Sequence, residues 1–208
     1  MKKISLIVMA LGIAPTLFTG CEKDESTKEC IIPIKKGNTW TYSTFYADNK
    51  TAGTVTFEVG DLKNVEGISA YKFGVAGSSS DIAFLVNNDS EGNFLLVGGY
   101  SDVDTLIEPS TMYKLNVQKG DSWNFTDIIA NEDNAFESRL LTMYCTKTDT
   151  LIKTPKGDFK CIILEYSPTS GEDIFKVYIS KNIGIIKDER YEMGNLFSYR
   201  ILTNYSLK

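Results

Sequence analysis

The residue types available for catalysis are restricted, because the chain of 208 residues contains no histidine. This excludes Ser-His-Asp and Cys-His catalysis and removes the commonest transition-metal ligand. A pair of carboxylates can still hydrolyse a glycoside, and Glu165 alternates with the apolar Cys161 and Ile163, which makes it the acid best suited to face inward. We prefer a solvated position for Glu165 at the end of its strand. The sequence therefore predicts no catalytic residue, with a carboxylate-dependent glycoside hydrolase as the alternative.

One polar segment has the alternating oxygen ligands of a calcium-binding loop. These are Asn87, Asp89 and Glu91, and Gly92 follows them. The position that should supply a bidentate glutamate is occupied by Gly98. A polar hairpin turn explains the segment better. We expect neither a bound metal nor another cofactor.

Several aromatic side chains could form a flat platform for a sugar or another ligand, since ligand sites often have apolar walls. The candidate ligand-facing residues are Trp40, Tyr42, Trp123 and Phe125. Aromatic residues at alternating strand positions are more typical of a hydrophobic core. We therefore favour a core role and keep the ligand platform as the alternative.

The N-terminal residues have the order of a signal peptide, with lysines at positions 2 and 3 and an apolar run over residues 4–18. The run is shorter than the ~20 apolar residues of a membrane-spanning helix. Residues 18–21, with the sequence Phe-Thr-Gly-Cys, resemble the lipobox, in which the cysteine is diacylated and becomes the first residue after cleavage. We predict a lipoprotein signal peptide over residues 1–20 and a lipid on Cys21. An ordinary secretory signal with an incidental cysteine is the alternative.

The residues after the predicted cleavage site carry information about location. Lys23, Asp24 and Glu25 resemble the export signal of Bacteroidota-type lipoproteins, which routes them to the outer face of the outer membrane. A surface-exposed outer-membrane lipoprotein is thus expected, with the inner leaflet of that membrane as the next choice and a plain charged linker as the simplest interpretation of the three residues. Residues 21–30 should act as a flexible tether.

The charge of the mature chain limits its partners. Removal of the signal peptide takes away two lysines and no acidic residue, which leaves a net charge of −7. An acidic domain lacks the electrostatic footprint of a nucleic-acid-binding protein. The expected partners are the membrane, through the lipid on Cys21, and a glycan, an apolar ligand or another envelope protein.

The rest of the chain predicts one all-β domain over residues 31–208. Period-two alternation recurs along it, while no stretch of a dozen residues has apolar positions three and four apart, as a helix would. Strands and Gly-, Pro- and Asn-rich turns follow one another to the end, which favours an antiparallel meander closing into a barrel or half-barrel, with a two-sheet sandwich second. Residues 82–86, 94–97 and 161–164 are apolar on both faces, which indicates strands that are covered on both sides.

Two segments of the domain are similar to each other. Residues 37–42 read Gly-Asn-Thr-Trp-Thr-Tyr, and residues 120–125 read Gly-Asp-Ser-Trp-Asn-Phe. Each is predicted to be a tight turn that leads into a strand with Trp and the next aromatic residue on one side. Trp40 and Trp123 are therefore both expected to be buried.

The first of these segments, with Pro33 ahead of it, resembles the opening of a broad group of all-β secreted bacterial lipoproteins of the Bacteroidota type. Their sequences begin with Pro, three further positions, and then Gly-Asn-x-Trp-x-Tyr. A later Thr-Pro-x-Gly-x-Phe hairpin is matched by residues 154–159, and a closing Gly-aliphatic-aliphatic-Lys segment by residues 184–187. The resemblance implies an all-β fold and supplies no activity and no catalytic residue.

The cysteines beyond the lipid site are odd in number: Cys30, Cys145 and Cys161. A two-residue turn at Lys156 and Gly157 would pair Ile152 with Cys161 and Thr154 with Phe159, and would leave Cys145 out of reach of Cys161. We therefore expect free thiols, although a disulfide between any two of the three stays open.

Overall fold

The computed structural model of the chain describes residues 28–78, 82–168 and 173–208. These residues form 12 β-strands and no helix, which confirms the all-β class. The strands are β1 (Thr39–Tyr46), β2 (Thr51–Val65), β3 (Ile68–Val75), β4 (Ala83–Asn88), β5 (Phe94–Tyr100), β6 (Thr105–Tyr113), β7 (Ser122–Ala130), β8 (Phe136–Thr154), β9 (Gly157–Tyr166), β10 (Asp173–Ser180), β11 (Gly184–Glu192) and β12 (Asn195–Ser206). Accordingly, no helix in the described part of the chain has the length and apolar character needed to cross a bilayer.

The strands form one antiparallel sheet that curls into a nearly closed barrel. Its order is β6-β5-β4-β3-β2-β1-β12-β11-β10-β9-β8-β7, so every pair of consecutive strands is hydrogen-bonded except β6 and β7, and β1 pairs with β12. This arrangement is two six-stranded meanders, β1–β6 and β7–β12, joined along β1 and β12. The predicted antiparallel meander barrel is confirmed, and the sandwich alternative is excluded.

The free edges β6 and β7 meet at a seam that is bridged by side chains. The indole nitrogen of Trp123 donates to the carbonyl of Met112 at 3.3 Å, and the backbone amide of Thr126 donates to the hydroxyl of Ser110 at 2.8 Å. Neighbouring strands elsewhere in the sheet are joined by a ladder of backbone–backbone hydrogen bonds. At the seam, bonds that involve side chains take the place of this ladder.

The two similar segments form equivalent turns at the start of each meander, as the sequence predicts. Gly37 and Gly120 adopt positive φ angles of 84° and 97°, which a glycine tolerates without strain. In each turn the glycine amide and the next residue's carbonyl bond to one residue of the adjacent strand. These bonds are Gly37 N to Val59 O, Val59 N to Asn38 O, Gly120 N to Cys145 O and Cys145 N to Asp121 O. Trp40 and Trp123 follow these turns, and both are buried, as expected.

The strands with two apolar faces contribute to two cores. Val86 and Leu96 point into the barrel and join the main core. Leu85 and Val97 point outward and form a second, smaller cluster with Ala70 of β3. The prediction that both faces of β4 and β5 are covered is therefore confirmed, with Val65 of β2 and Ile107 of β6 packed against the outer cluster. Residues 161–164 of β9 are also all buried.

The predicted register of the β8–β9 hairpin is wrong. Thr154 pairs with Gly157 and Ile152 pairs with Phe159, so the turn residues are Pro155 and Lys156. Proline favours the first central position of a tight turn because its φ is already set, and this moves the turn one residue earlier and the pairing by two.

Irregularities further along the same hairpin place Cys145 opposite Leu164 and Cys161 opposite Thr150. Cys30, Cys145 and Cys161 are all free. The expectation of free thiols is thus confirmed, even though the register on which it was based is not.

Candidate functional site

One end of the barrel is closed by the segment that precedes β1, residues 30–34, which we call the plug. Ile31 and Ile32 of the plug are buried in the main core. The plug is fixed by three bonds to turns at this end: Asn182 N to Cys30 O, Ile31 N to Gly92 O and Asn88 Nδ2 to Ile32 O. The opposite end, where β1 ends and β2 begins, has no such segment within the described residues; we call it the mouth.

A cavity of about 270 Å³ lies inside the barrel between the plug and the mouth. Ile32 of the plug, Val86 and Leu96 contribute to its apolar lining. The aromatic residues of the wall are Tyr42, Phe57, Phe73, Phe84, Phe94, Tyr113 and Tyr166. Concave, mainly apolar cavities with a few polar groups are the usual form of a small-molecule site, although most are slightly larger than this one.

The polar groups of the cavity lie on the side that is nearer the mouth. Asp188 of β11 faces Arg200 of β12 across the ladder, and both of its carboxylate oxygens lie within 3.0 Å of the Arg200 Nε. Asp127 of β7 faces Arg139 of β8 in the same way, with 2.8 Å between Arg139 Nε and Asp127 Oδ2. Asp127, Asp188 and Arg200 line the cavity directly.

Burial changes the acid–base properties of this group. The pKa of the Asp188 carboxyl is raised by its removal from water, an effect that the Arg200 guanidinium only partly offsets. The pKa of the Tyr113 hydroxyl is also raised, first by burial and then by Tyr166, Asp188 and Asp127. These effects keep the Tyr113 hydroxyl neutral, so it can donate a hydrogen bond inside the barrel.

A second polar cluster lies on the outer face of the same strands. The Glu189 carboxylate is buried and accepts bonds from the hydroxyls of Tyr178 and Tyr191 and from Lys187. Burial alone would raise the pKa of Glu189, but these three donors together lower it. All of these groups are paired with one another, which is typical of a structural network rather than a binding site.

The structure separates the candidate ligand-facing aromatic residues. Tyr42 lines the cavity, where its hydroxyl donates to the carbonyl of Ile185 at 2.9 Å. Trp40, Trp123 and Phe125 are instead packed in the core beside it and are absent from the cavity wall. The cause is their position nearer the closed end, where neighbouring strands and the plug fill the barrel.

The acid suggested by sequence for an inward position, Glu165, faces outward. It accepts a bond from Thr146 and forms an ion pair with Lys176 of the next strand, with 3.2 Å between the charged atoms. Its neighbour Leu164 occupies the inward position and is fully buried. Asp89 lies in a polar hairpin turn, where its carboxylate accepts bonds from Glu91 and Asn93.

The polar residues of the cavity were not identified from sequence. Asp127 lies two residues after Phe125, and so shares its inward face, but one acid in a strand is a weak signal. A better signal is the rarity of arginine, since the chain has 19 lysines and only three arginines. Arg139, Arg190 and Arg200 all occupy inward positions near the mouth, and each forms an ion pair with an aspartate.

Fold and cavity together define a class of protein: a single antiparallel β-barrel, closed at one end by its own N-terminal segment and holding an internal cavity with a polar side. No protein-family model and no curated protein matches the chain. The evidence from related proteins is therefore structural.

Two solved structures are similar to this chain. One is a proposed exported protein with a YmcC-like fold from Bacteroides fragilis NCTC 9343, with a TM-score of 0.50 and 17% sequence identity, covering 86% of this chain and 100% of that chain. The other is a proposed lipoprotein from Parabacteroides distasonis ATCC 8503, with a TM-score of 0.49 and 17% identity, covering 86% of this chain and 99% of that chain. At this identity the likeness to the first protein shows a shared fold and nothing further.

Proposed function

We propose that this chain is a lipid-anchored lipoprotein of a bacterial cell envelope that binds a small ligand inside its barrel. The observation that carries the binding role is the cavity of about 270 Å³, with an aromatic wall and two aspartate–arginine pairs near its mouth. The predicted signal peptide and Cys21, which lie outside the described residues, support export and anchoring, and the structural neighbour described as an exported protein is consistent with them.

The chain enters the domain at the closed end, opposite the mouth. Cys30 is held there by Asn182 and lies nine positions after Cys21, a distance of at most ~30 Å at ~3.3 to 3.6 Å per residue. A lipid on Cys21 would therefore hold the closed end towards the membrane, and the mouth would open away from it. This orientation suits a protein that takes its ligand from the surrounding space.

Anchoring is tested by membrane fractionation of Cys21→Ala. We expect the variant to fold normally and to move from the membrane to the soluble fraction, because two or three acyl chains make anchoring effectively permanent. Cys30→Ala is the matched control and should stay in the membrane. Retention of Cys21→Ala in the membrane would contradict the lipid anchor.

The proposed surface location is tested separately with a protease added to intact cells. The wild-type domain should be degraded, whereas a variant with alanine at Lys23, Asp24 and Glu25 should be protected. Equal protection of both proteins would place the domain on the inner leaflet of the outer membrane.

The binding role is tested with octan-1-ol, a neutral molecule of suitable size, by calorimetry or ligand-observed NMR. We expect Val86→Trp, which fills the cavity, to abolish binding. Leu140→Trp is the matched control, because Leu140 is exposed on β8. This variant should bind octan-1-ol as the wild type does. Failure of the wild type to bind octan-1-ol and its charged analogues octanoate and octylammonium, together with purification free of any bound small molecule, would contradict the proposal.

A hydrolase is the second candidate, because Asp127 and Asp188 line the same cavity and paired carboxylates hydrolyse glycosides. Against it, each carboxylate is already engaged in an ion pair with an arginine of the adjacent strand, as in a structural pair. A panel of nitrophenyl glycosides decides between the two. Hydrolysis that disappears in both Asp127→Asn and Asp188→Asn would replace the binding role with an enzymatic one.

A further inference from the structure

The cavity has unequal sides, and the difference indicates which kind of molecule fits. Towards the plug its lining is apolar and includes Ile32, Phe94 and Leu96. Towards the mouth it carries Arg200 and Asp188, which face each other across β11 and β12. A ligand that fills such a cavity must be apolar at one end and polar at the other, since burying an apolar group against charges, or a polar group against apolar walls, is unfavourable.

Arg200 is held in place by contacts that leave one of its guanidinium nitrogens without a hydrogen-bond partner. Asp188 binds Arg200 from the side, through Nε and Nη2. Among the described residues, Nη1 of Arg200 has no hydrogen-bond partner. The guanidinium lies over the rings of Tyr42 and Phe57, with 5.9 and 5.4 Å to their centroids, which holds its plane. Arg200 is therefore a pre-oriented cation with an unused donor edge.

Two tyrosine hydroxyls near this edge are also unused. Tyr113 and Tyr166 line the same cavity, and the hydroxyl of neither one is hydrogen-bonded within the described part of the chain. Tyr113 is only 5% exposed. Neither hydroxyl is sealed from the cavity, so each can donate a hydrogen bond to water or to a bound ligand.

These unused groups share one property, which is that all of them can donate a hydrogen bond. The side-on pairing with Asp188 keeps the Arg200 charge in place, and the Arg200 side chain, which lines the cavity, is 36% exposed. A carboxylate matches a guanidinium edge and neighbouring hydroxyls in both charge and geometry.

We propose that the ligand of this cavity is a single-chain amphiphile with a carboxylate head group, bound with its apolar chain towards the plug and its carboxylate at Arg200, Tyr113 and Tyr166. This inference rests on the proposed binding role and adds the class of ligand to it. A volume of about 270 Å³ is the space of about nine water molecules at ~30 Å³ each, so a chain of about eight carbons fits.

The test compares three molecules with the same chain and different head groups: octanoate, octan-1-ol and octylammonium, each titrated into the wild-type protein at pH 7. We expect octanoate to bind at least about tenfold more tightly than octan-1-ol, which is the ratio that a charge-assisted hydrogen bond supplies. Octylammonium should bind most weakly, because its charge would lie beside Arg200. This comparison needs no variant, so it does not depend on the folding of any mutant.

Variants then locate the head group. Arg200→Met should weaken octanoate about tenfold or more and leave octan-1-ol within about twofold, and Tyr113→Phe should weaken octanoate by a smaller factor. Arg190→Met is the matched control, since Arg190 is near the mouth but does not line the cavity. It should leave both affinities unchanged.

Each unfavourable result has a distinct meaning. Equal binding of octanoate and octan-1-ol, or tightest binding of octylammonium, would overturn the carboxylate ligand while the proposed binding role stands, provided that Val86→Trp blocks the site. Loss of octanoate binding in Arg190→Met but not in Arg200→Met would also overturn it. Failure of the wild type to bind any of the three molecules would contradict both proposals.

Discussion

The two ends of the barrel are built from the same strands but differ in the side chains that face inward. At the closed end the plug, Trp40 and the turn at Gly184 pack together, and the Trp40 indole donates to the carbonyl of Ile183 at 2.6 Å. At the mouth the inward positions carry charged pairs, and Met193 in the β11–β12 turn and Phe197 at the start of β12 are exposed. Apolar packing therefore provides stability at one end, and its absence at the other leaves groups that can recognise a ligand.

The largest expected effect is the loss of a tryptophan at the start of either meander. Trp40→Ala and Trp123→Ala should each lower the free energy of unfolding by ~3 to 5 kcal/mol, because each leaves a cavity in the core. Trp40→Ala should be the more severe, since Trp40 is more buried and its hydrogen bond is shorter. Phe197→Ala at the mouth should cost about 1 kcal/mol or less.

Urea unfolding of the three variants provides the measurement. A loss for Phe197→Ala as large as that for Trp40→Ala would show that the mouth is also a stabilising element. The contrast between the ends would then have to be abandoned.

An intermediate effect is expected at two glycines, one at each end. Gly92 and Gly194 both have positive φ angles, 84° and 77°, which alanine adopts with strain. A Cβ atom on Gly92 would lie 2.2 Å from the carbonyl oxygen of Glu29, whereas one on Gly194 would meet nothing within 4 Å. Gly194→Ala should therefore cost ~1 kcal/mol from strain alone, and Gly92→Ala clearly more.

The same difference should be visible in local dynamics. Hydrogen exchange of the Ile31 amide, which donates to Gly92, should accelerate in Gly92→Ala and stay unchanged in Gly194→Ala. Equal stabilities and equal exchange in the two variants would refute the role of the plug as a packed closure.

The smallest effects concern the pH dependence of two neighbouring acids on β11. Folding raises the pKa of Asp188, so its contribution to stability is present at low pH and is lost as the pH rises through the folded-state pKa. Folding lowers the pKa of Glu189, so its contribution is present above the unfolded-state pKa and is lost as the pH falls through the folded-state pKa.

The two neutral variants should therefore differ in sign. The stability difference between Asp188→Asn and the wild type should become less unfavourable as the pH rises from 3 to 7, and that for Glu189→Gln should become more unfavourable. Each slope should be below ~1.4 kcal/mol per pH unit, the limit for a single proton. Parallel slopes in the two denaturation series would show that the cavity acid and the outer acid have similar environments.

Much of the architecture was accessible from local patterns. Period-two alternation and turn residues predicted an antiparallel β meander, and the paired Gly-x-x-Trp segments predicted the two equivalent turns. These features follow from the alternation of side chains along a strand and from the backbone freedom of glycine, both of which act over a few residues.

Which side chains face the cavity could not be predicted from sequence, because it depends on how each strand pairs with its neighbours. Glu165 was suited to face inward by alternation, but the irregular pairing of β8 and β9 gives the inward position to Leu164. The hairpin at Pro155 likewise shifted by two residues through a one-residue difference in the turn. A bulge moves side chains to the other face of the sheet, and a displaced turn changes their cross-strand partners; local pattern alone determines neither.

The sequence by itself determined the predicted signal peptide, the fold class and the turns, since each depends on residues adjacent in the chain. Only the tertiary structure decided which charges share the cavity. Asp127 and Asp188 lie far apart in sequence, and they line one space because β7 and β11 curl around the same axis. The depth at which the plug ends set the volume of that space, and this depends on contacts of Ile31 and Ile32 with the whole barrel. A barrel closes through contacts between strands that are distant in sequence. The residues that line its interior can therefore be identified only from the tertiary structure.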